Sequence, residues 1–224
     1  MPKNARINNW KKQRQKEHIE KRGYRYYIFC EGEKTEPCYF GGFKKLIEKS
    51  PIYRDMVLIH IENHVGETLY ILDKAEKYVK SNGISNSHIW CVYDKDDYPA
   101  ERFNQVEERI AKLNQKQKNG VLFHAAWSNQ CIEFWFILHF AYYHSNNNRE
   151  AYIEFINEKF RKLGCHAYKK NMQDTFDIIR KYGSEEDAIK NAKRIIRENA
   201  GKKPSEIEPG TRVYEIVEEL RKYL

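Results

Sequence analysis

The chain has 224 residues, 32% of them charged and 14% aromatic, with a formal net charge of +8. That profile suits one large globular domain, or a domain with a small appendage, and excludes a disordered or low-complexity chain. Residues 1–22 hold eight Lys/Arg against two Glu, so the basic character is mostly a property of this leader.

The leader, with Lys11, Lys12 and Arg14 at its centre, can hold a nucleic-acid backbone through counterion release, or it can be a solvated or helical extension that favours solubility. Residues 24–30 (YRYYIFC) read as a β-strand covered on both faces. Residues 36–49 carry Tyr39, Phe40, Phe43, Leu46 and Ile47 at helical spacing. A short strand is expected over 56–61, and a helix over 66–82 that Asn82-Gly83 ends. Residues 88–93 predict a third strand, 101–119 a charged amphipathic helix, and 121–126 a fourth strand. Trp127-Ser128-Asn129 then leads into an apolar helix over 130–143, with Ser128 or Asn129 as its N-cap. Helices follow over 150–163, 172–182, 185–199 and 212–223.

Strand and helix alternating to a fourth strand predict an α/β fold with about four mainly parallel strands flanked by helices. The expected division is a basic leader (1–22), an α/β core (23–145) and an all-α C-terminal portion (146–224) packed on that core. Five cysteines, an odd number without CxxC spacing, read as free thiols of a reducing cytoplasm. The longest apolar run, 131–143, is too short and interrupted to span a bilayer, and the N-terminus has no apolar signal core, so no membrane contact is expected.

Chemistry is expected at the strand ends. Glu31 follows the first strand and is itself followed by Gly32, which lets a ligand approach the backbone. Asp94 and Asp96 alternate at the end of the third strand, so their carboxylates can point the same way. Carboxylates at neighbouring strand ends suit Mg²⁺ or Mn²⁺; taken one at a time, such acids can equally be strand ends or caps. Glu133, in an apolar helix, is costly to bury as an ion unless paired or bound to metal, although an N-terminal position or a Lys/Arg partner would also account for it. Asn129 is a simple cap or a ligand contact. Lys34 offsets phosphate charge or is a solvated loop lysine. Glu33 lies too far into the turn, and Glu36 beside Pro37 fits a helix start. His139 reads as a satisfied core histidine, and His60 with His64 lacks a zinc pattern. No P-loop or GxSxG elbow is present.

The stretches YIFCEGEKTEPCYF, VYDKDD, SNQCIEFWFILHF and PGTRV resemble the RloB-like family. Within them, EGxxxE after a first strand and DxD after a later one resemble the Toprim fold of topoisomerases, primases and some nucleases. The resemblance implies a Toprim-like core and a Mg²⁺-dependent nuclease (Mn²⁺ substituting) that hydrolyses RNA, including tRNA, or DNA. It also implies a role in antiphage defence beside an AAA- or ABC-type ATPase partner. By position, Glu31 matches the Toprim glutamate, a general acid/base or metal ligand, and Asp94 and Asp96 match the DxD metal ligands. Lys169 resembles a basic family position. Asp97 adds a third acid, which leaves open which aspartates bind metal. A non-catalytic module that grips nucleic acid or nucleotide and reports to the ATPase is the alternative.

Overall fold

The computed structural model describes residues 23–224 apart from 65, 67, 117 and 118. Lys11, Lys12 and Arg14 therefore lie outside the described residues. The chain runs β1 (Tyr24–Cys30), α1 (Thr35–Lys49), β2 (Val57–Asn63), α2 (Thr68–Asn82), β3 (Ser87–Asp94), α3 (Ala100–Lys116) and β4 (Val121–Asn129). It continues as α4 (Glu133–Leu138), α5 (Arg149–Lys162), α6 (Thr175–Tyr182), α7 (Glu185–Glu198), β5 (Gly210–Thr211) and α8 (Val213–Leu220), with short 3-10 turns at Pro204–Glu206 and Arg221–Tyr223.

The sheet order is β2-β1-β3-β4-β5, with the first four strands parallel and β5 antiparallel to β4. The expected α/β core of about four mainly parallel strands flanked by helices is present. The C-terminal portion differs in one respect: expected to be all helical, it returns a two-residue strand to the sheet. The pairs Ser128↔Thr211 and Asn129↔Gly210 extend β4 three residues beyond its expected end.

Alternation along β1 sends its side chains to two different layers. Tyr27 and Phe29 meet Tyr78 of α2, whereas Tyr26, on the other face, meets Tyr223 beyond α8. The apolar run after β4 is a single short helix, α4, rather than the fourteen-residue helix expected. It is nonetheless buried throughout, with Trp135 Nε1 donating to Tyr39 Oη at 2.9 Å and Phe136 tilted against the Tyr39 ring. Helix α1 packs against α6 through Phe43 and Phe176, ring centroids 4.9 Å apart. All five cysteines are free, with Cys30, Cys91 and Cys131 buried. No helix among the described residues is long and apolar enough to cross a membrane.

Candidate functional site

The chain leaves β1 toward β2 on one side and later returns to place β3 on the other. That reversal makes the carboxyl ends of β1 and β3 the topological switch point, where open α/β sheets hold their ligands. Glu31 and Asp94 meet there. The Glu31 N–H continues the ladder to Val92 O at 3.0 Å, and the Asp94 N–H donates to Glu31 Oε2 at 3.1 Å. Strand β3 ends at Asp94, so Asp96 does not reach the site by alternation along a strand. It does so through a left-handed backbone (φ +41°), which Asp tolerates better than most residues. Its N–H donates to Gln130 O at 3.0 Å, anchoring the turn to the segment after β4.

A cleft of about 410 Å³ opens over these residues. Six carboxyl groups line it (Glu31, Glu33, Glu36, Asp94, Asp96 and Glu133) against three cationic side chains, Lys34, Arg149 and Lys170. Burial, followed by the charges of Asp96 and Glu36, pushes the Glu31 carboxyl up to about 7, although the Asp94 N–H opposes the shift. Burial pushes Glu36 up to about 7 as well, with Glu133 adding to the shift and Arg149 opposing it. Asp94 is raised well above the usual carboxylate range, by burial first and then by Glu36, Glu133 and Asp96. Burial also raises Asp96, where Arg149 and Lys170 pull the other way. Such a crowd of acids in a desolvated cleft favours a bound cation or protons.

Glu133 opens α4, is 2% exposed and accepts from Tyr168 Oη at 2.9 Å. Its immediate partner is thus a tyrosine of the segment between α5 and α6. Lys34 is exposed at the rim. Gly32 lines the cleft, and a Cβ there would also stand 1.9 Å from Glu36 Oε2. Glycine makes room for a neighbouring carboxylate.

Two expected site residues are elsewhere. Asn129 caps no helix and does not line the cleft. It is buried in β4, and its Nδ2 donates to Ile207 O at 3.1 Å and Ser205 O at 3.4 Å, fastening the C-terminal segment to the sheet. Lys169 is exposed and off the cleft, whereas its neighbours Lys170 and Asn171 line it. Asp97 is exposed and faces an adjoining cleft. His139 is a buried core residue, as expected, with its ring Nδ1–H donating to Trp135 O at 3.0 Å.

Sequence reasoning set aside Glu33 and did not single out Lys170 or Tyr168, and it missed two members that matter more. Glu36, set aside as a helix start, is 4% exposed and belongs to the cleft. Arg149, the first residue of α5, pairs with Asp94 Oδ2 at 3.2 Å and with Asp96 Oδ1. An acid beginning one helix and a base beginning another carry no signal of which way they face, although Arg149 stands just past a run of three asparagines that marks a helix start.

Residues 26–220 match the family model described as RloB-like protein. The chain belongs to the RloB-like family. No curated protein and no solved structure matches it. In this RloB-like chain the family match spans every residue of the cleft, from Glu31 to Asn171. The donor set suits a hard divalent cation, since it is all oxygen and carries three carboxyl groups in excess of its cationic partners. Its present arrangement is not a closed coordination shell. Among the described residues no three His, Cys, Asp or Glu side chains stand ready to hold a metal, and Arg149 fills the space between Asp94 and Asp96.

Proposed function

We propose that this RloB-like protein is a Mg²⁺-dependent nuclease with a Toprim-like core, hydrolysing phosphodiester bonds of RNA, including tRNA, or of DNA. The observation that carries the reading is the meeting of Glu31 and Asp94 at the switch point of a parallel sheet, in a cleft with an excess of carboxylates. Asp94, Asp96 and Glu133 would hold Mg²⁺ or Mn²⁺, with Glu36 beside them. A bound divalent ion supplies Lewis-acid polarisation of a phosphoryl oxygen and a more acidic water.

The protein's own groups do the rest. Glu31, fixed by the Asp94 N–H, takes or delivers a proton at the reacting oxygens or shares the metal. Lys34 and Lys170, on the rim and wall of the cleft, offset phosphate charge. Tyr168 holds Glu133 in its orientation through the 2.9 Å hydrogen bond. The basic leader, with Lys11, Lys12 and Arg14, would retain the polyanion. We place the protein in the cytoplasm as an antiphage effector partnered by an AAA- or ABC-type ATPase.

Metal-supplemented cleavage of single-stranded and structured RNA and DNA tests the reading, beside Glu31→Gln and Asp94→Asn. Loss of cleavage in both variants is expected, and cleavage undiminished in both would overturn the residue assignment. The presence of Arg149 between the two aspartates favours a second reading, a module that binds nucleic acid without cutting it. That reading predicts affinity that survives EDTA, with no turnover in any metal.

A further inference from the structure

Arg149 occupies the space that a metal-binding site would need to free. It is the first residue of α5, behind Asn148, whose side chain accepts from the Ala151 N–H at 3.0 Å. A positive charge is unfavourable in the first turn of a helix, where the backbone N–H groups are already positive. Helix stability therefore does not place Arg149 there, and the attraction comes from Asp94 and Asp96. The pairing is also incomplete. The Nε of Arg149 is buried with no hydrogen-bond partner, so one donor of the guanidinium goes unmet in a desolvated setting. A buried ion pair that serves stability alone gains by satisfying such groups. Arg149 also has somewhere to go. It lines both the main cleft and an adjoining one of about 550 Å³, whose wall carries the carboxylates of Asp96, Asp97 and Glu150 beside Asn148, Gln130 and Tyr98, so a displaced guanidinium still finds acidic partners there.

We propose that Arg149 is an internal stand-in for the cation, a latch that neutralises Asp94 and Asp96 until metal displaces it and then grips the substrate phosphate. The idea rests on the metal-dependent reading above and adds to it a phosphate-binding residue and a coupling. A divalent ion drawn to Asp94 and Asp96 removes the partners of the guanidinium and repels it. The freed fork of Arg149 matches two oxygens of one phosphate, which a lysine cannot bridge. Phosphate that holds Arg149 outward leaves the aspartates to the metal, so metal and nucleic acid each raise the other's affinity by the same factor.

Calorimetric titration of Mn²⁺ alone into EDTA-stripped full-length protein tests the latch, using wild type, Arg149→Gln and Arg149→Lys. Removing a charge that competes at close range predicts Mn²⁺ binding about tenfold tighter, or more, in Arg149→Gln. Arg149→Lys keeps the charge and stays near wild type. A fluorescent single-stranded oligonucleotide, with Ca²⁺ in place of Mn²⁺, should bind about tenfold more weakly to both variants, because neither retains the fork. Equal Mn²⁺ affinity in Arg149→Gln and wild type overturns the latch while leaving the metal site intact. Undiminished oligonucleotide binding by Arg149→Lys overturns the phosphate grip, and this arm holds even if Arg149→Gln fails to fold. Mn²⁺ binding to none of the three proteins overturns the metal-dependent reading, and the latch with it.

Discussion

Neutralising Glu36 should stabilise the metal-free protein, and only at a pH where the carboxylate is ionised. Glu36 is 4% exposed, and its carboxyl is pushed from 4.5 to about 7 by burial and by Glu133. Below pH 4.5 the group is protonated in both folded and unfolded chains and costs nothing. Above pH 7 it is ionised in both, and the folded chain alone pays for the buried charge. The protein therefore loses stability as pH rises through 4.5 to 7. Linkage gives almost no cost at pH 4.5 and about 3 kcal/mol at pH 8. Urea denaturation in EDTA, followed by fluorescence of the buried Trp90, Trp127 and Trp135, measures it directly. Glu36→Gln should gain up to about 3 kcal/mol over wild type at pH 8 and almost nothing at pH 4.5. Saturating Mn²⁺ should shrink or reverse the gain. A variant that is less stable than wild type at pH 8, or that gains equally at both pH values, would refute the electrostatic account of the cleft.

Three further outcomes follow from other parts of the molecule. Gly32→Ala places a Cβ 1.9 Å from Glu36 Oε2, the far end of a flexible side chain, so it should cost about 1 kcal/mol, mainly by turning that carboxylate, and weaken Mn²⁺ binding in calorimetry; Mn²⁺ affinity at the wild-type level would show that the carboxylate moves freely. Asn129→Ala strips a donor from the Ile207 and Ser205 carbonyls and should cost about 1–3 kcal/mol in urea, while Mn²⁺ affinity stays at the wild-type level. His139 is held neutral, its pKa lowered from 6.5 to about 4 by burial, so its contribution is complete above pH 6.5 and lost as pH falls toward 4, about 3 kcal/mol in all. The stability deficit of His139→Gln should therefore shrink between pH 7 and pH 4.5, and a deficit that grows on acidification would contradict this.

Much of the frame is legible in the residues because burial and periodicity go together. The strand over 24–30, the stripe of α1 and the acids at Glu31 and Asp94 all follow from which positions must be covered and where a parallel sheet ends. What escapes is decided by partners distant in sequence. Asn129 reads as a cap because β5, the strand whose pairing carries β4 on as far as Asn129, has two residues and no pattern of its own. Glu36 satisfies the rule for a helix start and serves the cleft as well, so the local explanation hid the distant one. Arg149 acquires meaning only when α5 is laid beside the end of β3. Asp96 reaches the cleft through a left-handed turn that strand alternation cannot foresee.

The fastening of the C-terminal segment bears on how this protein can be dissected. Ser205 bonds to Asn104 of α3, Ile207 to Asn129, Thr211 to Trp127 and Ser128 of β4, and Tyr223 to Tyr26 of β1. These ties reach two strands of the sheet and the helix α3, and they come from one stretch of fewer than twenty residues. A fragment ending near residue 200 would keep every acid of the cleft yet expose the flank of β4 and unpin α3. Its loss of activity would then report a collapsed scaffold and say nothing of catalysis. Point changes in the cleft, made in the full chain, are the experiments that can tell the two apart.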